Sequence, residues 1–213
     1  KIPPTWQNPF PAVKVPLPAK VWISSNNDHT WFGVDPVRKW YWEASSLGPV
    51  LSFLQSPWRS DVVRVFNLQK NWTEQAGSIS ASRIPVWPLV PTIEGLNAGA
   101  GGVQHALAFV AAGYGDGPVQ YPSRGTDGYI PGHPLVNGSR LRLTRKAVER
   151  LTAQSKSPQD AAVVWALEQY GCLCVDKTSE DAGHSLRFPK DPRLKVSLAL
   201  QLTDFEVLPS VTA

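Results

Sequence analysis

Proline sets the tightest limit on what this chain can fold into. Its 213 residues include 20 prolines, many of which lie in residues 1–20, 77–102 and 114–137. Because proline lacks a backbone N–H and clashes with the preceding helical turn, long helices are excluded from these stretches. Apolar residues make up 42% of the chain and charged residues 18%, which is typical of a globular protein and argues against disorder.

Short apolar runs between turn residues predict an all-β fold with one or two helices, arranged as a single-domain β-sandwich or jelly-roll-like structure. Residues 1–20 are expected to form an extended, proline-rich wrap, and residues 21–213 to form one β-rich domain. Residues 30–34 and 39–43 are predicted to pair as a hairpin, and the β-branched run at 62–68 to form a further strand.

Capping residues predict a helix over residues 158–170. Ser157 suits the N-cap and Pro158 the first helical position, while Gly171 is expected to end the helix. Residues 196–202 are predicted as a strand. The segment 77–102, which mixes prolines with small residues, is predicted to be irregular throughout.

Charge and hydropathy limit the partners of the chain. Its 21 basic and 17 acidic residues give a formal net charge of +4, which suits an anionic partner such as an acidic polysaccharide; a solvated surface without such a partner is the alternative. No helix-turn-helix, zinc-finger or RNA-recognition motif is present, so no nucleic-acid partner is expected. No run approaches the roughly 20 apolar residues that span a bilayer, so no membrane span is expected.

The start of the chain and two sequons favour a secreted protein. The sequence contains no methionine, so we expect Lys1 to be a mature end from which a signal peptide has been removed. Asn71 and Asn137 each open an Asn-x-Ser/Thr acceptor sequence, which would make the protein a glycoprotein in a secreted eukaryotic setting.

The two cysteines are predicted to be buried free thiols. Cys172 and Cys174 lie two residues apart in a predicted strand, so their side chains point to one face and pair poorly with each other. A strained local disulfide is the alternative.

His105 is the first candidate for acid–base chemistry. Apolar residues alternate with small or polar ones over residues 103–109, which predicts a strand with His105 on its apolar face. There it serves either as a hydrogen-bonded core histidine or as a general base tuned by burial and a carboxylate. His29 lies at a strand entrance beside Asp28, and a pair of histidines with Asp28 or Glu43 would suit a metal ion. The histidine spacing carries no metal signature, however, so neither metal nor cofactor is expected.

Glu43 is the best-placed carboxylate for acid–base work. Alternation places Tyr41 and Glu43 on one face of a strand and Trp40 and Trp42 on the other. If the Tyr41 face lines a groove, Glu43 meets substrate; an exposed, solvated Glu43 is the alternative. A glycosidase needs a second carboxylate, and its candidates are Asp28, Asp35 and Asp127.

A polysaccharide lyase would use different residues. In such a reaction a cation neutralises the carboxylate of a uronate while a histidine or tyrosine takes the α proton. Arg124 is the candidate cation. The candidate proton acceptors are His105, Tyr41 and Tyr129.

Tryptophans add a possible sugar-stacking surface. Flat aromatic rings on loops suit stacking on sugars as well as packing. Near prolines in predicted loops lie Trp6, Trp58, Trp72 and Trp87, and two or three of these are expected to form a glycan platform. Trp42, on its strand, is a further candidate for substrate binding.

Three sequence blocks occur in a familiar order: residues 102–109 (GVQHALAF), 121–128 (YPSRGTDG) and 166–176 (ALEQYGCLCVD). In this combination the chain resembles a family of secreted, largely uncharacterised bacterial proteins with ordered Gly-x-x-x-His-Ala-Leu, Thr-Asp-Gly and Ala-Leu-x-x-Tyr-Gly-x-x-Val-x-Asp blocks. Members often accompany carbohydrate-active or adhesive modules. The resemblance therefore implies a secreted protein associated with carbohydrate.

These observations together predict a secreted carbohydrate-active protein that cleaves a polysaccharide by hydrolase or lyase chemistry. The alternative is a non-catalytic glycan- or surface-binding module, or a structural extracellular protein. The expected catalytic residues are His105, Glu43 and Asp127. The expected substrate-binding residues are Arg124, His29, Tyr41, Trp42, Trp72 and Trp87.

Overall fold

The computed structural model describes residues 31–45, 62–71, 75, 77–178 and 183–209, together with one strand pair at 48–49 and 58–59. The predicted N-terminal wrap, His29 and Trp72 lie outside the described residues. The chain divides into two compact units, one ending at Ile79 and the other beginning at Ser80. The single domain expected over residues 21–213 stays a prediction.

The first unit contains a three-stranded antiparallel sheet. Its strands are β1 (Trp31–Asp35), β2 (Trp40–Ser45) and β5 (Val62–Asn67), in the order β1-β2-β5. Strands β3 (Gly48–Pro49) and β4 (Trp58–Arg59) form a separate pair.

The predicted hairpin is the β1–β2 pair. Asp35 shapes its turn, since Oδ1 accepts hydrogen bonds from the backbone N–H groups of Val37 and Arg38, both at 2.9 Å. Lys39 completes the turn with a φ of 59°. Aspartate is favoured at this position because its side chain can hydrogen-bond the backbone two and three residues ahead.

The second unit contains three α-helices: α1 (Ile93–Asn97), α2 (Arg145–Gln154) and α3 (Pro158–Gln169). Helix α3 confirms the predicted helix, with Ser157 accepting from Asp160 N at its start and Gly171 following its end at a φ of +72°. Helix α1 corrects the prediction that 77–102 is irregular throughout. Thr92 caps it by accepting from Gly95 N at 3.0 Å.

A five-stranded mixed sheet forms the centre of the second unit. Its strands are β6 (Leu107–Ala112), β7 (Arg140–Leu143), β8 (Cys172–Thr178), β9 (Ser185–Leu186) and β10 (Phe205–Val207), in the order β10-β7-β8-β6-β9. Strands β6 and β8 pair in parallel, and the other neighbours are antiparallel. The described residues are thus mainly β with three α-helices, in agreement with the predicted mainly-β class.

The predicted strand at 196–202 is wrong, because side chains of α3 take the place of a neighbouring strand. Gln159 Oε1 accepts from Lys195 N at 2.6 Å, and Asp160 Oδ1 accepts from Ser197 N at 2.8 Å. Burial by itself would raise the pKa of Asp160. The hydrogen bonds from Ser197 and Lys156 outweigh that effect and hold this pKa below its usual value.

Both cysteines lie in the hydrophobic core of the second unit as free thiols, which confirms the prediction and rules out the local disulfide. Burial raises the pKa of Cys174 to about 12 and moves that of Cys172 upward as well. The two thiols are therefore protonated and inert at neutral pH. Among the described residues, no helix has the length and apolar character needed to cross a membrane.

Candidate functional site

Glu43 is held inside the first unit by hydrogen bonds to both carboxylate oxygens. Tyr41 Oη donates to Oε1 at 2.5 Å, while Ser78 Oγ and the backbone N–H of Ile79, the latter at 3.0 Å, donate to Oε2. The side chain is 0% exposed, so the solvated alternative is wrong. This arrangement ties residues 78–79 to β2 and gives Glu43 a structural role.

Tyr41 and Trp42 share this burial. The Tyr41 ring stacks between Phe32 and Phe66, at centroid distances of 6.4 and 5.4 Å, and Trp42 is 3% exposed. Trp42 Nε1 is buried without a hydrogen-bond partner among the described residues. Neither ring is exposed to solvent, so neither Tyr41 nor Trp42 can contact a substrate in a groove as expected.

His105 lies before β6 and not inside it, because the strand begins at Leu107. The predicted strand start at residue 103 is therefore wrong. His105 is half-buried, and its Nδ1 lies 2.9 Å from Ala106 O. Because a carbonyl oxygen only accepts, Nδ1 must carry a proton, and in the neutral ring Nε2 is the basic atom.

Asp127 is bound to a lysine that the sequence reasoning missed. Lys177 Nζ donates to Asp127 O at 2.8 Å and lies 3.4 Å from Asp127 Oδ2. The same ammonium lies 4.8 Å from the centre of the Tyr129 ring, which is 52% exposed. A cation is thereby held between a carboxylate and an accessible aromatic face.

A register shift between β6 and β8 sets the position of Lys177. Phe109 pairs with Cys174, but Val110 pairs with Asp176, so Val175 is the extra residue. Such bulges re-aim the side chains that follow them and are common beside active sites.

Tyr114 closes this bulge from inside the core. Its hydroxyl accepts from Ala111 N at 3.3 Å and donates to Asp176 O. Burial, with a smaller contribution from the nearby Cys174, raises the pKa of Tyr114. The phenol therefore stays protonated at neutral pH and continues to donate to Asp176 O.

Two glycines let the loop that carries Asp127 and Tyr129 lie close to the end of β6. A Cβ on Gly128 would come within 1.9 Å of Gly115 O, and Gly113 has a φ of +84°. A Cβ on Gly113 would lie 3.9 Å from the Tyr129 hydroxyl. Any larger residue at 128 would push this loop away from the strand end.

Two histidines complete this end of the sheet. His184 Nδ1 accepts from Ala112 N at 3.1 Å, and its ring stacks on Phe109 at 5.8 Å. Burial and the nearby His133 lower the pKa of His184. We call Asp127, Tyr129, His133, Lys177 and His184 the carboxyl-edge cluster, since they gather where the parallel strands β6 and β8 end.

The structure does not bring His105 and Asp127 together. His105 lies at the start of β6, whereas Asp127 contacts Lys177, which pairs with Ala111 near its end. Ala111 follows Leu107 by four residues, or roughly 13 Å along the strand. The two residues therefore cannot act as one acid–base pair on a single bond. Glu43 belongs to the first unit.

The other predicted contacts are spread through the second unit. Arg124 is exposed on the loop before Asp127, and its backbone N–H donates to Ser82 O at 2.9 Å. Trp87 is half-buried in a single 3₁₀ turn, Trp87–Leu89.

The two sequons differ in accessibility. Asn71 is exposed. Asn137 is 0% exposed, and its Nδ2 lies 3.4 Å from Gly125 O. The folded protein has no room for a glycan at Asn137, so the expected glycosylation rests on Asn71 alone.

Lys177 and His184 were missed because the parallel pairing of β6 and β8 was not predicted. Open sheets with parallel strands place ligands at the carboxyl ends of those strands, and that rule would have pointed to these residues. In the part of the chain that the structure describes, no group of three or more His, Cys, Asp or Glu side chains is placed to hold a metal ion.

Comparisons with protein-family models, with curated proteins and with solved structures find no match for this chain.

Proposed function

We propose that the protein is a secreted carbohydrate-active protein that binds and cleaves an acidic polysaccharide at the carboxyl-edge cluster. The observation that carries the proposal is the Lys177 ammonium, held by Asp127 against the exposed ring of Tyr129. A cation beside an accessible aromatic ring suits a sugar that carries a carboxylate, because the ring stacks on the sugar and the cation pairs with its charge.

Lys177 retains the capacity to bind an anion. An ammonium has three N–H groups; one donates to Asp127 O and another faces Asp127 Oδ2. The Lys177 side chain is 33% exposed and also lies over the Tyr129 ring. A uronate carboxylate can therefore join Asp127 on this lysine.

Of the two cleavage chemistries, β-elimination fits these residues better than hydrolysis. In the proposed step Tyr129 acts in its deprotonated form and takes the proton from C5 of a uronate. The C–H electrons then form a C4=C5 double bond as the C4–O4 bond breaks. The phenol returns the same proton to O4, which regenerates the phenolate without any other reactant.

Hydrolysis has less support because it needs two available carboxylates. Both oxygens of Glu43 already accept hydrogen bonds in a buried site. Asp127 is engaged by Lys177. His105, with Nε2 as its basic atom, stays a candidate proton acceptor but lies at the other end of β6.

A binding-only module is the second candidate, and the Lys177–Asp127 ion pair favours it. Because Asp127 already balances the charge of Lys177, this lysine neutralises a substrate carboxylate less completely. That weakens catalysis more than binding. Exposed Tyr121 and Tyr129, at 41% and 52%, supply aromatic faces on one loop. This candidate predicts binding without any cleaved product.

The sandwich or jelly-roll-like architecture and secretion belong to the same proposal. Each unit contains an open β-sheet, which supports a mainly-β fold, whereas the parallel β6–β8 pair is unusual for a jelly roll. Secretion is supported by the resemblance of the ordered sequence blocks to secreted proteins.

Product analysis tests the proposed reaction. The protein is incubated with a panel of polyuronates and neutral polysaccharides, and products are followed by ultraviolet absorbance of the new double bond and by mass spectrometry. Unsaturated products from a polyuronate support elimination. Saturated products would move the assignment to hydrolysis, and binding without products would favour the binding module.

A further inference from the structure

The ring of His184 is fixed in one tautomer by the backbone. Its Nδ1 lies 3.1 Å from Ala112 N, and a backbone N–H only donates. Nδ1 must therefore be unprotonated, which places the proton of the neutral ring on Nε2. Stacking on Phe109, with ring planes 17° apart, holds the ring in this orientation.

This histidine and Tyr129 both lie at the end of β6. Its partner Ala112 is the last residue of β6, and the next residue, Gly113, is the one whose Cβ would lie 3.9 Å from Tyr129 Oη. His184 and Tyr129 thus flank the same turn, while Lys177 lies against the ring of Tyr129.

The surroundings favour a neutral ring. Burial and His133 lower the pKa of His184. The charged groups of the neighbouring elements are Asp176 and Lys177 of β8, Asp127, and Arg187 just after β9, which pairs with Asp176 at 3.8 Å. At neutral pH His184 therefore offers an uncharged Nε2–H with no partner among the described residues.

We propose that His184 recognises the carboxylate of the substrate by donating a hydrogen bond from Nε2–H, beside the charge supplied by Lys177. This inference rests on the proposed function, because it assigns a residue of the same cluster to the acidic group of the sugar. A fixed neutral donor adds a directional hydrogen bond to the charge that the more flexible lysine supplies.

Two variants of His184 test the roles of its two ring nitrogens separately. His184→Asn keeps an acceptor for Ala112 N near the Nδ1 position but removes the outer donor. His184→Gln places an amide N–H near the Nε2 position. Calorimetric titration with a uronate oligosaccharide and its neutral counterpart measures binding without requiring turnover, and thermal melting checks that each variant folds.

We expect the asparagine variant to lose about tenfold or more in affinity for the acidic oligosaccharide, and the glutamine variant to retain most of it. Wild-type affinity in a folded asparagine variant would overturn the role of His184 while leaving the proposed function intact. If the wild-type protein binds no uronate oligosaccharide, the proposed function fails and this inference fails with it. Nitrogen NMR showing the proton on Nδ1 would also overturn it, and does so without any ligand.

Discussion

The hydroxyl of Tyr114 donates a hydrogen bond to the backbone oxygen of Asp176, across the register shift between β6 and β8. The same hydroxyl accepts from Ala111 N. This side chain satisfies backbone groups on both strands where the ladder between them is interrupted. The position of Lys177, the residue after Asp176, depends on it.

Tyr114→Phe should therefore destabilise the protein. It leaves Ala111 N and Asp176 O without this partner in a buried place, which costs about 1–3 kcal/mol in the free energy of unfolding. Urea unfolding measures the change. Tyr170→Phe is the matched control, since Tyr170 is exposed and packs edge-on against Trp165 through its ring. Equal stability of the two variants would contradict the role of Tyr114.

Stability should fall as the pH rises above 9. The pKa of Cys174 is raised by burial from 9.0 to about 12, and the pKa of Cys172 is also raised. Between these values the unfolded chain loses thiol protons that the folded protein keeps, so ionisation favours unfolding. The slope is about 1.4 kcal/mol per pH unit for each fully retained proton.

Cys174→Ala tests the source of this loss. Urea unfolding at several pH values from 8 to 11 should show a shallower decline for the variant than for the wild-type protein. Identical slopes would mean that the Cys174 thiol ionises alike in both states.

Glu43→Gln should lower the free energy of unfolding. A neutral amide cannot accept from Tyr41, Ser78 and Ile79 together, because one end of it is a donor. We expect a loss of about 1–3 kcal/mol, measured by urea unfolding. The control is Glu206→Gln, at an exposed carboxylate paired with Arg142 at 2.6 Å. A Glu43→Gln variant with wild-type stability and no cleavage would instead restore the acid–base role expected from the sequence.

Local sequence patterns predicted the parts of the fold that local contacts determine. Asp35 forms the β1–β2 turn, and Ser157 and Gly171 bound α3, each through bonds to residues nearby in the chain. Strand alternation also placed Tyr41 and Glu43 on one face correctly. It carried no information on whether that face is buried, since residues 78–79 that cover Glu43 lie more than 30 positions away.

The candidate site depended on contacts between distant residues. Leu107 pairs with Cys172, and Asp127 meets Lys177, and no periodicity in the sequence encodes either contact. Residues 196–202 alternate as a strand does, yet Asp160 binds Ser197 N, and Gln159 binds Lys195 N just before them, in place of another strand. Asp127 and Tyr129 were identified from the sequence, while the lysine and histidine beside them were not.

Asp127→Asn should separate a positioning role from a catalytic one. In this variant the backbone carbonyl oxygen of residue 127 still accepts a hydrogen bond from Lys177 Nζ. Removal of the side-chain charge makes the Lys177 ammonium more available to a uronate. Calorimetric affinity for a uronate oligosaccharide should therefore be unchanged or up to about tenfold stronger. Loss of binding in a folded variant would contradict this prediction. Loss of cleavage with binding retained would identify Asp127 as catalytic.

Replacement of Lys177 tests the central claim most directly. Binding of a uronate oligosaccharide and of its neutral counterpart is measured for the wild-type protein, for Lys177→Gln and for Lys146→Gln, a control on the exposed face of α2. We predict that the wild-type protein and the control bind the acidic sugar alone, and that Lys177→Gln, while folded, binds it at least about tenfold more weakly. Equal binding by the Lys177 variant and the wild-type protein, or no preference for the acidic sugar, would contradict the account.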